Sequence, residues 1–124
     1  MKQIISTEKA PSAIGPYSQG ISLENLVFTS GQLPINPETK ELVSTIEDAT
    51  RQSLNNVKAI LTEAGTSMEN VVKTTVFLKD LNDFAAMNAV YAEFFPEKCP
   101  ARSCFQVAKL PMDAIVEIEV VAVK

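Results

Sequence analysis

Two periodicities divide this chain. Toward the C-terminus the apolar positions repeat every second residue. Val116, Ile118, Val120 and Ala122 fall on one side, and Ile115, Glu117, Glu119, Val121 and Val123 on the other. That alternation predicts a strand over residues 115–123. A second strand over 101–109 sets Ser103, Phe105 and Val107 against Arg102, Cys104, Gln106 and Ala108. The β-rich run 70–78 predicts a third, through Val71, Val72, Thr74, Thr75, Val76 and Phe77. Residues 2–6 read as a short strand, and 20–23 with 26–32 read as a hairpin around Glu24-Asn25. Loops follow at 8–18, punctuated by Pro11, Gly15 and Pro16, and at 34–41.

Helical spacing occupies two central stretches. Ala49, Leu54, Val57, Leu61 and Ala64 form one apolar stripe. Ser44 or Thr45 opens this helix, Ser44 with Glu47 has capping-box spacing, and Gly65 is a natural stop. Phe84, Met87, Val90, Tyr91 and Phe94 form a second stripe, read as core, after a cap at Asp80 or Asn82 and before Pro96. The order β-β-β-α-β-α-β-β predicts an α+β domain with two helices on one face of a mixed sheet. The set Val116, Ile118, Val120, Ala122 and the set Ser103, Phe105, Val107 are assigned to the helices. The opposite face, carrying Ile115, Val121 and Val123, is too apolar to stay bare. It is expected to pack on another copy, with Arg102 and Glu117 near that interface.

Composition narrows the chemistry. The 124 residues predict one domain, 1–124. Net charge is −4 and no basic stripe is present, which argues against nucleic acid as a partner. No apolar run reaches the ~20 residues of a membrane helix. Residues 1–5 lead into charge and proline rather than a leader's apolar segment, so a cytoplasmic location is expected. Cys99 and Cys104 match no zinc or CxxC spacing and are expected to stay reduced. The chain has no histidine, which removes Ser-His and Cys-His nucleophile pairs and disfavours a catalytic zinc or iron site. What stands out is a fixed cation, Arg102, and a candidate general base, Glu117, each on a strand. A guanidinium fork suits a carboxylate, and a glutamate can position or deprotonate water. The pair suits an enzyme of small organic acids, although a structural salt bridge between them across a subunit interface is equally compatible with the sequence. Glu119 shares a strand face with Glu117, and the pattern does not choose between them.

Five segments, taken together and in order, resemble the RidA family, also called YjgF: Ile14-Gly15-Pro16-Tyr17-Ser18, Phe28-Thr29-Ser30-Gly31-Gln32, Thr75-Val76-Phe77-Leu78, Pro100-Ala101-Arg102-Ser103 and Val116-Glu117-Ile118-Glu119. The resemblance spans essentially the whole chain. It implies a chorismate-mutase-like fold and a homotrimer with a site in each inter-subunit cleft. The implied activity is deamination of 2-iminopropanoate and 2-iminobutanoate, from the enamines 2-aminoacrylate and 2-aminocrotonate, to 2-oxo acids and ammonia, with no metal or cofactor. It implies that Arg102 grips the substrate carboxylate and that Glu117 holds or activates water. Tyr17, Ser30 and Asn88 then line the cleft, Gly31 allows close backbone approach, and Cys104 lies beside the site without acting as nucleophile. Met112 departs from a lysine common in the family, and Cys99 from a tyrosine. Two other classes remain compatible with these residues: a trimer that binds or senses 2-oxo acids without turnover, and a chaperone-like partner-binding protein. RNA cleavage, also attached to the family, fits poorly with a pI near 4.8 and no histidine.

Overall fold

A computed structural model describes residues 1–124. Six strands form one sheet in the order β1-β2-β3-β6-β4-β5. They are β1 (Gln3–Ile5), β2 (Gly20–Leu23), β3 (Leu26–Thr29), β4 (Val71–Leu78), β5 (Ala101–Gln106) and β6 (Val116–Val123). All neighbours are antiparallel except β4 and β5, which are parallel and joined by helix α2 (Phe84–Phe94). The longer helix α1 (Ile46–Glu63) links β3 toward β4, and both helices lie on one face. The predicted order of elements is the observed one.

The core sits between helices and sheet. Ala49, Leu54, Val57, Ile60 and Leu61 of α1 meet Val27, Val76, Leu78, Val116, Ile118 and Ala122, all essentially inaccessible. Ala49, Leu54, Val57 and Leu61, with Val116, Ile118 and Ala122, are the helical and period-two positions expected to face inward, and apolar burial of this kind is worth about 25 cal/mol per Å². Two local details differ from expectation. The helix α1 begins after Thr45, and no side chain caps it; the Thr45 hydroxyl bonds the Asp48 carboxylate at 3.1 Å instead, so the Ser44-Glu47 box does not form. The third strand ends at Thr29, and residues 30–32 bend along β6, where Gln32 and Ile118 exchange backbone hydrogen bonds of 2.7 and 3.2 Å.

The more consequential difference concerns β5. Its register pairs Arg102 with Thr74, Cys104 with Val76 and Gln106 with Leu78. Thr74, Val76 and Leu78 are the buried, helix-facing residues of β4, so Arg102 and Cys104 lie on the helix side. Ser103 and Phe105 pair with Thr75 and Phe77 on the open side, where the Phe77 and Phe105 rings meet edge to face at 5.4 Å. The assignment of Ser103 and Phe105 to the helices is therefore reversed. As the edge strand β5 is nowhere fully buried, its alternation defines two faces without marking which is inner. The open face of the sheet carries Ile4, Ile21, Leu23, Phe28, Val121, Phe77 and Phe105 in register. Ile4, Leu23, Phe28 and Phe105 are exposed in the single chain.

Beneath Arg102, the Tyr91 hydroxyl of α2 bonds the Thr74 hydroxyl of β4 at 2.7 Å, both residues being buried. Tyr91→Phe leaves the Thr74 hydroxyl unpaired and is expected to cost about 1–3 kcal/mol in urea denaturation. Adding Thr74→Val should recover most of that loss; a double variant less stable than Tyr91→Phe would contradict the pairing.

Candidate functional site

The sequence-predicted residues separate into two groups. The first lies on the open face, where β6 meets the bend after β3. Glu117 is opposite Phe77 on that face. The Gln32–Ile118 bridge draws the bend tightly against β6, and the buried Gln32 side chain bonds the Ser30 carbonyl at 3.1 Å. Gly31 thereby sits directly against Glu117. A Cβ at Gly31 would collide with a Glu117 carboxylate oxygen and lie 2.8 Å from its Cδ. Glycine is needed here for space.

Ser30 ties this bend to the loop before β2. Its hydroxyl donates to the Ser18 carbonyl, and its amide donates to the Gln19 carbonyl at 2.8 Å. The Ser30 proton is thus committed to the backbone, leaving oxygen lone pairs for any ligand. Gln19, which sequence reasoning passed over, anchors the loop. Its buried side chain accepts from the Thr7 amide at 2.7 Å and donates to the carbonyls of Thr7, Ala10 and Pro11. At the end of this loop, Tyr17 is 52% exposed.

The second group lies on the helix side at the other edge of the sheet. Arg102 donates from Nη1 to Asn88 Oδ1 at 2.7 Å. Its guanidinium carbon stands 4.7 Å from the centre of the Tyr91 ring and 5.4 Å from that of Phe84. Three ion pairs occur in the chain, Arg51 with Asp48, Arg51 with Glu93, and Lys79 with Asp113, and none involves Arg102. Arg102 is a cation held by neutral groups, with Nε and Nη2 uncommitted. Cys104, two residues on, faces the same side and packs against the core. Helical spacing assigns Phe84 and Tyr91 to the core. Tyr91 is buried but Phe84 is 37% exposed, and both serve the Arg102 surroundings. The signal available in the sequence was the i, i+4, i+7 spacing of Phe84, Asn88 and Tyr91 on one helix face.

The two groups do not meet within one chain. Arg102 pairs with Thr74, Thr74 with Val120, and Glu117 lies three residues before Val120. Two strand spacings and three residues of rise separate their backbones by roughly 14 Å, and they sit on opposite faces of the sheet. The expectation that both occupy one face is corrected, and the same geometry excludes an Arg102–Glu117 salt bridge inside the chain. Two shallow depressions of about 410 and 390 Å³ flank α1 and contain neither residue. No three His, Cys, Asp or Glu side chains cluster in a way that could hold a metal ion, and no helix is long and apolar enough to cross a membrane.

Electrostatics assigns distinct states. Burial raises the Glu117 pKa above the usual carboxylate value, and the neighbouring Glu119 charge raises it further. Burial raises the Cys104 thiol, with Arg102 pulling the other way, so the group is a thiol rather than a thiolate at neutral pH. Burial also raises Tyr91, against the Thr74 hydrogen bond and the Arg102 charge, leaving a neutral phenol. The arrangement leaves a guanidinium fork without an ion-pair partner on one surface and a carboxylate of raised pKa on another.

Comparison with known proteins gives a consistent picture. The protein-family model described as endoribonuclease L-PSP matches residues 7–124. A RutC family protein of Haemophilus influenzae is 59% identical, covering 100% of this chain and 98% of the relative. The 2-iminobutanoate/2-iminopropanoate deaminase of Escherichia coli K12 is 54% identical, covering 100% of this chain and 99% of that protein. Among solved structures, E. coli TdcF with bound serine superposes with a TM-score of 0.96 at 52% identity, covering 98% of each chain.

The contact between Gly31 and Glu117 is directly testable. Gly31→Ala is expected to destabilise the protein by about 1–3 kcal/mol, because the glutamate must move. The same change in a Glu117→Ala background should cost much less. Equal costs in the two backgrounds, read from thermal melts, would contradict the contact.

Proposed function

This chain belongs to the endoribonuclease L-PSP family, the group that includes the RidA proteins, and we propose that it is a deaminase of small reactive 2-imino acids. It hydrolyses 2-iminobutanoate and 2-iminopropanoate to the corresponding 2-oxo acids and ammonia. The observation that carries this reading is the unpaired Arg102 fork, a cation whose charge no side chain in the chain neutralises. The natural counter-ion is the carboxylate of the ligand. The 54% identity to a 2-iminobutanoate/2-iminopropanoate deaminase over the full length supports the choice of acid.

The reaction needs little apparatus. Arg102 fixes the carboxylate and so orients the adjacent imine carbon. Glu117 positions a water and accepts its proton as the oxygen bonds to that carbon. That proton passes to nitrogen, the hydroxyl proton of the resulting carbinolamine follows it, the C–N bond breaks, ammonia leaves, and the carbonyl forms. Imine plus water thus balances oxo acid plus ammonia. Tyr17, Ser30 and Gly31 line the water side of the cleft, while Asn88 and Cys104 flank Arg102. The chemistry calls on no metal or cofactor.

Because Arg102 and Glu117 lie on opposite faces of one sheet, the working site takes each from a different copy. A cyclic homotrimer provides three such clefts and covers the apolar open face as well. The enzyme acts in the cytoplasm on small imino and oxo acids.

A coupled assay tests the reading. A dehydratase generates 2-aminoacrylate from serine, and pyruvate formation is followed with and without this protein. Wild type should accelerate it, and Arg102→Ala should lose about a hundredfold or more of kcat/KM. Since the base is the ionised Glu117, and its pKa is raised, activity should fall on the acid side at a pH above the ordinary glutamate value of about 4.3. Glu119→Gln removes one raising charge and should shift that limb to lower pH. A folded wild type without acceleration would overturn the proposal.

A further inference from the structure

The surroundings of Arg102 carry an inference that rests on its reading as the carboxylate clamp and goes beyond it. Phe84, Asn88 and Tyr91 project from one face of α2 toward the guanidinium. The Tyr91 ring is the nearer wall, 4.7 Å from the guanidinium carbon, and the Phe84 ring is the second at 5.4 Å. Tyr91 is itself held from two directions, by the Thr74 hydroxyl at 2.7 Å and by the Phe95 ring at 4.7 Å. Thr74 is the β4 residue paired with Arg102, so ring and arginine are referenced to the same point of the sheet.

We propose that Tyr91 and Phe84 are positioning residues of the clamp: they offset the Arg102 charge through aromatic faces while leaving its in-plane donors to the substrate carboxylate. The physical reason lies in the shape of the group. A guanidinium donates its five N–H bonds in its own plane, and its flat faces make none. An acidic partner would neutralise the charge by occupying those donors and would compete with the ligand. An aromatic face attracts the cation without using a donor. Asn88 occupies Nη1 alone and fixes rotation of the plane. The site therefore selects planar carboxylates that supply the missing negative charge.

Loss of this support removes binding shared by the ground and transition states, so it should appear in KM more than in kcat. The assay compares wild type, Arg102→Ala, Tyr91→Phe, Tyr91→Leu and Phe84→Leu, with KM and kcat for the imino acid, competitive inhibition by 2-oxobutanoate, and a thermal melt for each. Tyr91→Leu should raise KM and the 2-oxobutanoate inhibition constant together by about tenfold, with kcat changed by no more than about threefold. Tyr91→Phe keeps the ring and loses the Thr74 tie, so its KM should stay within about twofold of wild type although its melting temperature falls.

Phe84→Leu removes a partly exposed ring and should raise KM about threefold; it serves as the readout if Tyr91→Leu does not fold. Wild-type KM in the leucine variants, or KM changes in Tyr91→Phe and Tyr91→Leu that follow their stabilities alike, would overturn the inference. An Arg102→Ala enzyme as active as wild type would instead overturn the reading of the clamp on which the inference rests.

Discussion

The parallel register between β4 and β5 decides which way Arg102 faces, and the proposed site depends on it. By pairing Arg102 with Thr74 it turns the guanidinium toward α2. By the same period-two rule, the antiparallel register of β6 turns Glu117 to the open face. A slip of one residue in β5 would carry Arg102 off its aromatic support and expose Cys104 and Gln106 on the open side instead. Fold and site are thus linked through a few backbone pairings. The two halves of the site can be rigid, because each is held by its own network, and complementary, because they face opposite ways.

Each half uses a different means to hold an ionisable group in an uneasy state. Arg102 keeps its charge without an acidic partner, supported by an amide oxygen and two rings. Glu117 packs against Gly31, and burial first and the Glu119 charge second raise its pKa. Neither state serves stability, since an unpaired cation and a desolvated carboxylate both weigh against folding. In the proposed site the first accepts an anion and the second moves a proton, and the densely packed core between α1 and the sheet offsets the burden.

Much of this was legible in the amino-acid pattern. The alternation of β6 marked its inner face correctly, because Val116, Ile118, Val120 and Ala122 form an unbroken apolar set beneath the helices. The α1 stripe and its Gly65 stop were equally clear, with Gly65 in the left-handed region at φ 85°. The edge strand was not, because Ser103 and Phe105 give no stronger inward signal than Cys104, and pairing decided what hydrophobicity left open. Phe84 and Tyr91 looked like core because an aromatic stripe at helical spacing usually is. Their contact with a residue more than ten positions away is a product of the β4–α2–β5 crossover. The roles of Gln19 and Gln32 rest on side-chain hydrogen bonds with backbone amide and carbonyl groups of the loops, which no periodicity encodes.

The central claim is that one copy supplies Arg102 and its neighbour supplies Glu117. Subunit complementation tests it most directly. Arg102→Ala and Glu117→Gln chains, each inactive alone, are co-expressed in equal amounts and the mixed assemblies are assayed. Every mixed cyclic trimer then contains one cleft with both native residues, so the mixture should recover about a quarter of wild-type activity. If mixed assemblies form and show no activity above that of the separate variants, the site does not combine Arg102 and Glu117 from different copies, and the account is wrong.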